Sequence, residues 1–161
     1  MNRNDKDLLI TPSVLDRLID NTPEVSRELV VSRSKGMQML KESLRRDLEW
    51  LLNTRQKVQG IPEEMTELCN SVAAYGLPDF STMSVRSKFD RQRIRRALES
   101  AIAAFEPRLK DATVTIEPAR EGEQALRFRI NAHLMVEPAP VHVTFDTTLQ
   151  LHNGLYLVKA A

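Results

Sequence analysis

A single cysteine, Cys69, is the whole thiol inventory of this chain of 161 residues, which excludes an intramolecular disulfide and any CxxC motif. Its expected role is that of a buried, inert thiol. Glycine is also scarce, with five residues, and none builds a phosphate-cradling loop. Nowhere do about 18 apolar residues follow one another, so no segment spans a bilayer. The amino terminus, Met1 to Asp7 and then only Leu8, Leu9 and Ile10, lacks the apolar stretch of a signal peptide. These absences predict a cytosolic protein that reaches a membrane only through partners. The net charge of +1 gives no global preference for nucleic acid or for an acidic membrane surface.

What is present has the proportions of a globular domain: 42% apolar and 28% charged residues, in a chain long enough for a sizeable core. One domain over residues 1–161 is expected, with 1–33 as an amino-terminal helical extension. Thr11-Pro12 reads as a cap followed by a first helical position, with Val14, Leu15, Leu18 and Ile19 on one face of a short helix ending near Asn21-Thr22-Pro23. A further short helical piece is expected over Glu24 to Val31. Met37, Leu40, Leu44, Leu48 and Leu51 then recur at helical spacing through Asn53. Trp50 and Leu52 are expected to widen that apolar side, with Lys41, Glu42, Arg45, Arg46 and Glu49 opposite.

From Gln56 to Met83 the pattern is broken by Gly60, Pro62, Gly76 and Pro78; a short helix is expected near 63–71, and Tyr75 to Phe80 reads as a structured turn. Ser87 and Asp90 form a capping pattern before Ile94, Ala97, Leu98, Ala101, Ile102 and Phe105, one buried helical stripe. After Arg108 the period becomes two. Strands are predicted around Val114 and Ile116, from Leu126 to Val136, from Val141 to Phe145 and from Leu155 to Lys159, joined by short turns. The fold class expected is α+β, with amino-terminal helices packed on one face of a carboxy-terminal, mainly antiparallel four-stranded sheet.

Between helix and strands stands Phe105-Glu106-Pro107-Arg108-Leu109. Proline cannot continue a helix and biases the preceding residue toward extended geometry. Alternation in an extended segment directs Phe105, Pro107 and Leu109 to the core and presents Glu106 and Arg108 outward. Such a corner serves either as a recognition element or as a helix stop whose two charges neutralise each other.

Signals for chemistry are weak. A glycosidase needs two carboxyl groups about 5 to 9.5 Å apart, one of them a proton donor, and Glu106 beside the positive Arg108 is poorly set for that task. His133 and His142 fall on the polar faces of neighbouring strands, diagonal to each other if Val136 pairs with Val141. They lack the third ligand that zinc requires. No GxSxG elbow is present. The run Arg86, Lys88, Arg91, Arg93, Arg95 and Arg96 can grip phosphates or meet an acidic protein, but no interleaved aromatics suggest base stacking. A lysozyme-like peptidoglycan hydrolase and a nucleic-acid binder using Arg86 to Arg96 are therefore the alternatives to a structural role.

The stretch Leu44-Arg45-Arg46-Asp47-Leu48-Glu49-Trp50-Leu51-Leu52-Asn53-Thr54-Arg55, then Tyr75 to Phe80, then Glu106-Pro107-Arg108 resembles the TssE family, small baseplate subunits of bacterial type VI secretion systems. That family is similar to the baseplate wedge protein of contractile-tailed phages, which carries a historical lysozyme-like label. The resemblance covers the chain from about Leu8 to Val158, and its signature maps onto Glu106, Pro107 and Arg108. It implies a non-enzymatic scaffold without catalytic residues, metal or cofactor, placed at the cytosolic side of the inner membrane through the assembled baseplate. It implies docking on the wedge core bundle of TssF and TssG, where Glu106 and Arg108, held by Pro107, are expected to make charge-assisted hydrogen bonds with wedge helices. It also implies that contractile sheath assembly is initiated from the sheet, with no nucleic acid and no direct membrane insertion; the strand pattern offers the edge at Thr113 to Glu117 or at Leu155 to Lys159 for sheath strands to add to. Arg45, Arg46, Asp47 and Arg55 are then either internal salt links or partner contacts.

Overall fold

The computed structural model describes residues 10, 13–19, 32–58, 60–62, 64–80, 83–84, 87–117, 125–150 and 154–160. Helix α1 (Val14–Leu18) starts at Ser13, whose hydroxyl accepts from the Asp16 N–H and supplies the cap expected of Thr11. Thr11, Pro12, the stop near Asn21 to Pro23 and the piece from 24 to 31 lie outside the described residues. Helix α2 (Arg33–Asn53) is longer than its apolar stripe requires and is capped by Ser32. Helix α3 (Thr66–Cys69) is followed by a 3-10 turn over Val72–Ala74. Helix α4 (Lys88–Phe105) begins at Ser87, which accepts from the Asp90 N–H as the capping pattern predicts.

Strands β1 (Leu109–Ile116), β2 (Ala125–Leu134), β3 (Val141–Gln150) and β4 (Leu155–Ala160) form one antiparallel meander in chain order. β2 stops at Leu134, short of the expected Val136, because the chain turns there; Val136 still packs against the core. A register shift between Lys110 and Thr113, with Asp111 at φ 53°, bends β1. Leu126, Phe128, Ile130, Ala132 and Leu134 bury one face of β2, met by Val143, Phe145 and Leu149 of β3. Leu44, Leu48, Leu51 and Leu52 of α2 and Ile94, Leu98, Ala101 and Ile102 of α4 close the same core. α2 lies against β4 and α4 against β1. This is the α+β layering that short connections and two amphipathic helices dictate.

Two expectations of burial also fail. Trp50 is 52% exposed rather than part of the apolar side, since it lies about 200° around the helix from Leu48. Cys69 is half-buried rather than buried, its Sγ 3.6 Å from the Pro62 carbonyl.

Candidate functional site

Helix α4 ends where Pro107 removes a donor; the Glu106 N–H still reaches the Ile102 carbonyl at 2.9 Å, and the Leu109 N–H then bonds the Glu106 carbonyl at 3.1 Å. That turn interrupts the period-two alternation on which the outward pair was predicated. Glu106 is 5% exposed and faces inward, while Pro107 is exposed and Arg108 half-buried. The expectation for these three residues is corrected: it treated a turn as a strand.

A buried carboxylate requires a partner, and Arg108 supplies one. Its Nε donates to Glu106 Oε1 at 2.6 Å and its Nη2 to Oε2, a two-pronged pair, while its backbone N–H also reaches Oε1 at 3.3 Å. The same Nη2 bonds Asp47 Oδ2 of α2 at 2.6 Å. Asp47 Oδ1 in turn accepts from Arg46 Nε and Nη2 at 3.1 and 2.9 Å, and Arg46 Nη1 lies 2.9 Å from Asp16 Oδ1 of α1. Ser43 and Ser13 both donate to the other Asp16 oxygen, Ser43 at 2.7 Å. Glu106, Arg108, Asp47, Arg46 and Asp16 thus alternate in sign and tie the corner after α4 to α2 and to α1.

The electrostatics follow this ladder. Hydrogen bonding to Glu106 raises the Arg108 pKa, against burial and with help from Asp47. Burial alone would raise the Asp16 pKa, but bonds from Ser13, Ser43 and Arg46 outweigh it and leave it below the usual value. Burial raises the Tyr75 pKa, and the charges of Asp47 and Glu106 add to that.

Beside the ladder runs an open groove of about 420 Å3, lined among others by Leu15, Trp50, Tyr75, Phe105, Pro107 and Arg108. Tyr75 and Phe105 meet edge to face with centroids 5.2 Å apart. The Arg46 guanidinium carbon sits 5.1 Å from the Trp50 ring centroid, fixing an exposed aromatic over a charged base. An apolar floor with a rigid polar wall is suited to docking another polypeptide; it offers no acid and base converging on a reacting atom.

The structure joins four of the seven sequence-derived candidates, Arg46, Asp47, Glu106 and Arg108, and leaves Pro107 on the groove rim. Arg45 turns to another row of α2, bonding Glu42 and Glu49. Arg55 pairs with Asp79 at 3.1 Å and is 72% exposed. Asp16, Ser13 and Ser43 escaped sequence reasoning, because nothing local links α1 to a residue some thirty positions on. The outward aim of Trp50 was recoverable: it falls off the three-four spacing of the leucine stripe.

Helix side chains bond backbone groups on both outer strands of the sheet. Asn53 Oδ1 accepts from the Tyr156 N–H and its Nδ2 donates to the Tyr156 carbonyl, each at 2.9 Å, imitating a neighbouring strand on β4. Arg45 Nη1 adds a 3.4 Å bond to the Val158 carbonyl. On β1 the Val114 N–H donates to Glu99 Oε1 at 2.9 Å. β4 pairs with β3 only from Phe145 to Gln150, so among the described residues Val141 to Thr144 has β2 as its sole strand neighbour.

His133 and His142 are directly opposed rather than diagonal, rings 5.8 Å apart, since Leu134 and not Val136 pairs with Val141. Among the described residues no three His, Cys, Asp or Glu converge to hold a metal. No helix of the described residues is long and apolar enough to cross a membrane.

A family model described as "Baseplate wedge protein gp25" matches residues 38–139, which contain the ladder from Arg46 to Arg108. No curated protein matches the chain. Among solved structures, a chain of "The baseplate complex from the type VI secretion system" is similar at 20% identity and a TM-score of 0.48, over 70% of this chain and 96% of that one.

Proposed function

The chain belongs to the baseplate wedge protein gp25 family, and from the structural baseplate role this carries we propose that it is a TssE-like subunit of a type VI secretion baseplate. In this reading it catalyses nothing and works on the cytosolic side of the inner membrane. The groove bounded by Trp50, Pro107 and Arg108 receives helices of the wedge proteins TssF and TssG. Glu106, Arg46 and Asp47 act as its bracing, while Arg45 and Arg55 stand outside it. Helix α1, the described part of the expected amino-terminal extension, is pinned to α2 through Asp16.

The observation that carries the docking reading is the half-exposed Trp50 held over Arg46 beside an apolar groove. A large aromatic kept in water by a charged scaffold costs hydrophobic free energy until a partner covers it, and such aromatics dominate interface energetics. Sheath assembly, in the same reading, starts by strand addition along an outer edge of the sheet, at Thr113 to Glu117 or at Leu155 to Lys159, where helix side chains bond the backbone of Val114, Tyr156 and Val158.

Trp50→Ala combined with Pro107→Ala tests the groove while keeping all five charged residues of the ladder, although Trp50 stacks on one of them, Arg46. Circular dichroism of the variant is expected to match that of the unmodified chain, and binding to purified TssF and TssG to weaken about tenfold or more. Undiminished binding would remove the groove from the interface.

A further inference from the structure

At the opposite end of α4 from the groove, Lys88, Arg91, Arg93, Arg95 and Arg96 crowd the first half of the helix. Lys88, Arg93 and Arg96 are exposed, Arg91 and Arg95 half-buried. Among the described residues none of the five bonds a carboxylate. By contrast, Arg45, Arg46, Arg55, Arg108 and Arg129 each hold one or more. The two acids of α4 are already engaged: Asp90 accepts from the Ser84 N–H at 3.0 Å, and Glu99 from the Val114 N–H. Arg95 Nε is shielded from water and has no acceptor.

This placement works against the helix that carries it. Positive charge in the first turns opposes the helix dipole, and Lys88 with Arg91, Arg91 with Arg95 and Arg93 with Arg96 are like charges at destabilising spacings. A sequence that accepts a local conflict of this kind marks a position selected for something other than the fold. Phe89, 69% exposed, lies on the same face as Arg93 and Arg96, at i, i+4 and i+7. The core face of α4, Ile94, Leu98, Ala101 and Ile102, points the other way.

We propose that this face of α4 docks an acidic segment of another protein, with Phe89 covered by an apolar residue of that segment and the surrounding guanidiniums neutralised by its carboxylates. A protein fits better than nucleic acid for two reasons. The chain as a whole has a net charge of +1 and no field to hold a polyanion. The patch also offers one exposed aromatic beside its cations, not the interleaved series on which bases stack. The site is independent of the groove at Trp50 and stands or falls separately.

The test measures fluorescence anisotropy of two labelled probes with the full chain: an amphipathic helical peptide of glutamate and leucine, and a DNA duplex of equal charge. Arg93→Glu with Arg96→Glu is expected to weaken peptide binding by about tenfold or more. The circular dichroism and Tm of the same variant are expected to stay close to those of the unmodified chain, as for exposed substitutions. Phe89→Ala is expected to weaken the peptide complex as well. Absence of peptide binding to the unmodified chain, tighter binding of the duplex than of the peptide, or undiminished peptide binding after charge reversal would each overturn the proposal.

Discussion

Arg108 and Asp47, 61 residues apart in the chain, meet at 2.6 Å, and this one contact locks the corner after α4 onto the middle of α2. Glu106 completes the lock from the other side of the same guanidinium.

The two partners of this contact are not equivalent in what their loss costs. Arg108→Ala strands the Glu106 carboxylate in a site 5% open to water, with an expected loss of about 3 kcal/mol. Asp47→Ala leaves Arg108 its Glu106 partner and is expected to lose about 1 kcal/mol. Urea denaturation of both variants measures the difference. Adding Glu106→Ala to Arg108→Ala is expected to recover part of the loss, since it removes the orphaned charge. Equal, sub-0.5 kcal/mol effects, roughly those of exposed sites, would mean the ladder carries no stability.

Asn53 fills the place of a strand on the edge of β4. Asn53→Ala is expected to lose about 1–2 kcal/mol and to leave Tyr156 with an unpaired N–H and carbonyl at a sheet edge, where strands of other chains can add. Sedimentation velocity across a concentration series should then detect self-association in the variant and none in the parent. A variant that stays as monodisperse as the parent would argue against the plug.

Tyr156 lies in the core, and burial pushes its phenol up to about 12 from 10.0. The folded state therefore keeps the proton that the unfolded chain releases first, so stability present below pH 10 is lost as the pH rises toward 12. The loss amounts to about 2–3 kcal/mol for two units. Denaturant midpoints measured across that window are expected to fall, and Tyr156→Phe to flatten this part of the slope. An ultraviolet titration in which one tyrosine ionises well before the other gives the same reading.

Asp16 works in the opposite direction. Despite burial, bonds from Ser13, Ser43 and Arg46 hold its pKa below the ordinary aspartate value of 3.8. Its contribution is present above that value and disappears as pH falls through the lowered one. Acidification should release α1 from α2, reported by Trp50 emission as the adjoining Arg46 loses its second carboxylate. In Asp16→Asn the emission step is expected to vanish.

Helix faces and strand alternation were legible because burial imposes a period on any element lying against a core: the leucines of α2, the stripe of α4 and the even positions of β2 are all where spacing puts them. The ends of elements were less so. Ser13 caps α1 in place of Thr11, and β2 ends at Leu134 rather than Val136. At Glu106 the same alternation rule misled, because it was carried across a turn.

By itself the sequence determined the layers, helices before a four-stranded antiparallel sheet, since hydrophobic period is a local property written residue by residue. It also marked Arg45 to Asp47 and Glu106 to Arg108 as segments to watch. Only the tertiary structure decided that Asp47 and Arg108 belong to one chain of charges, that Glu106 faces inward while Trp50 faces out, and that Asn53 and Glu99 bond the sheet's outer strands. Those facts depend on distances between residues tens of positions apart, which packing of the core sets and no local pattern encodes.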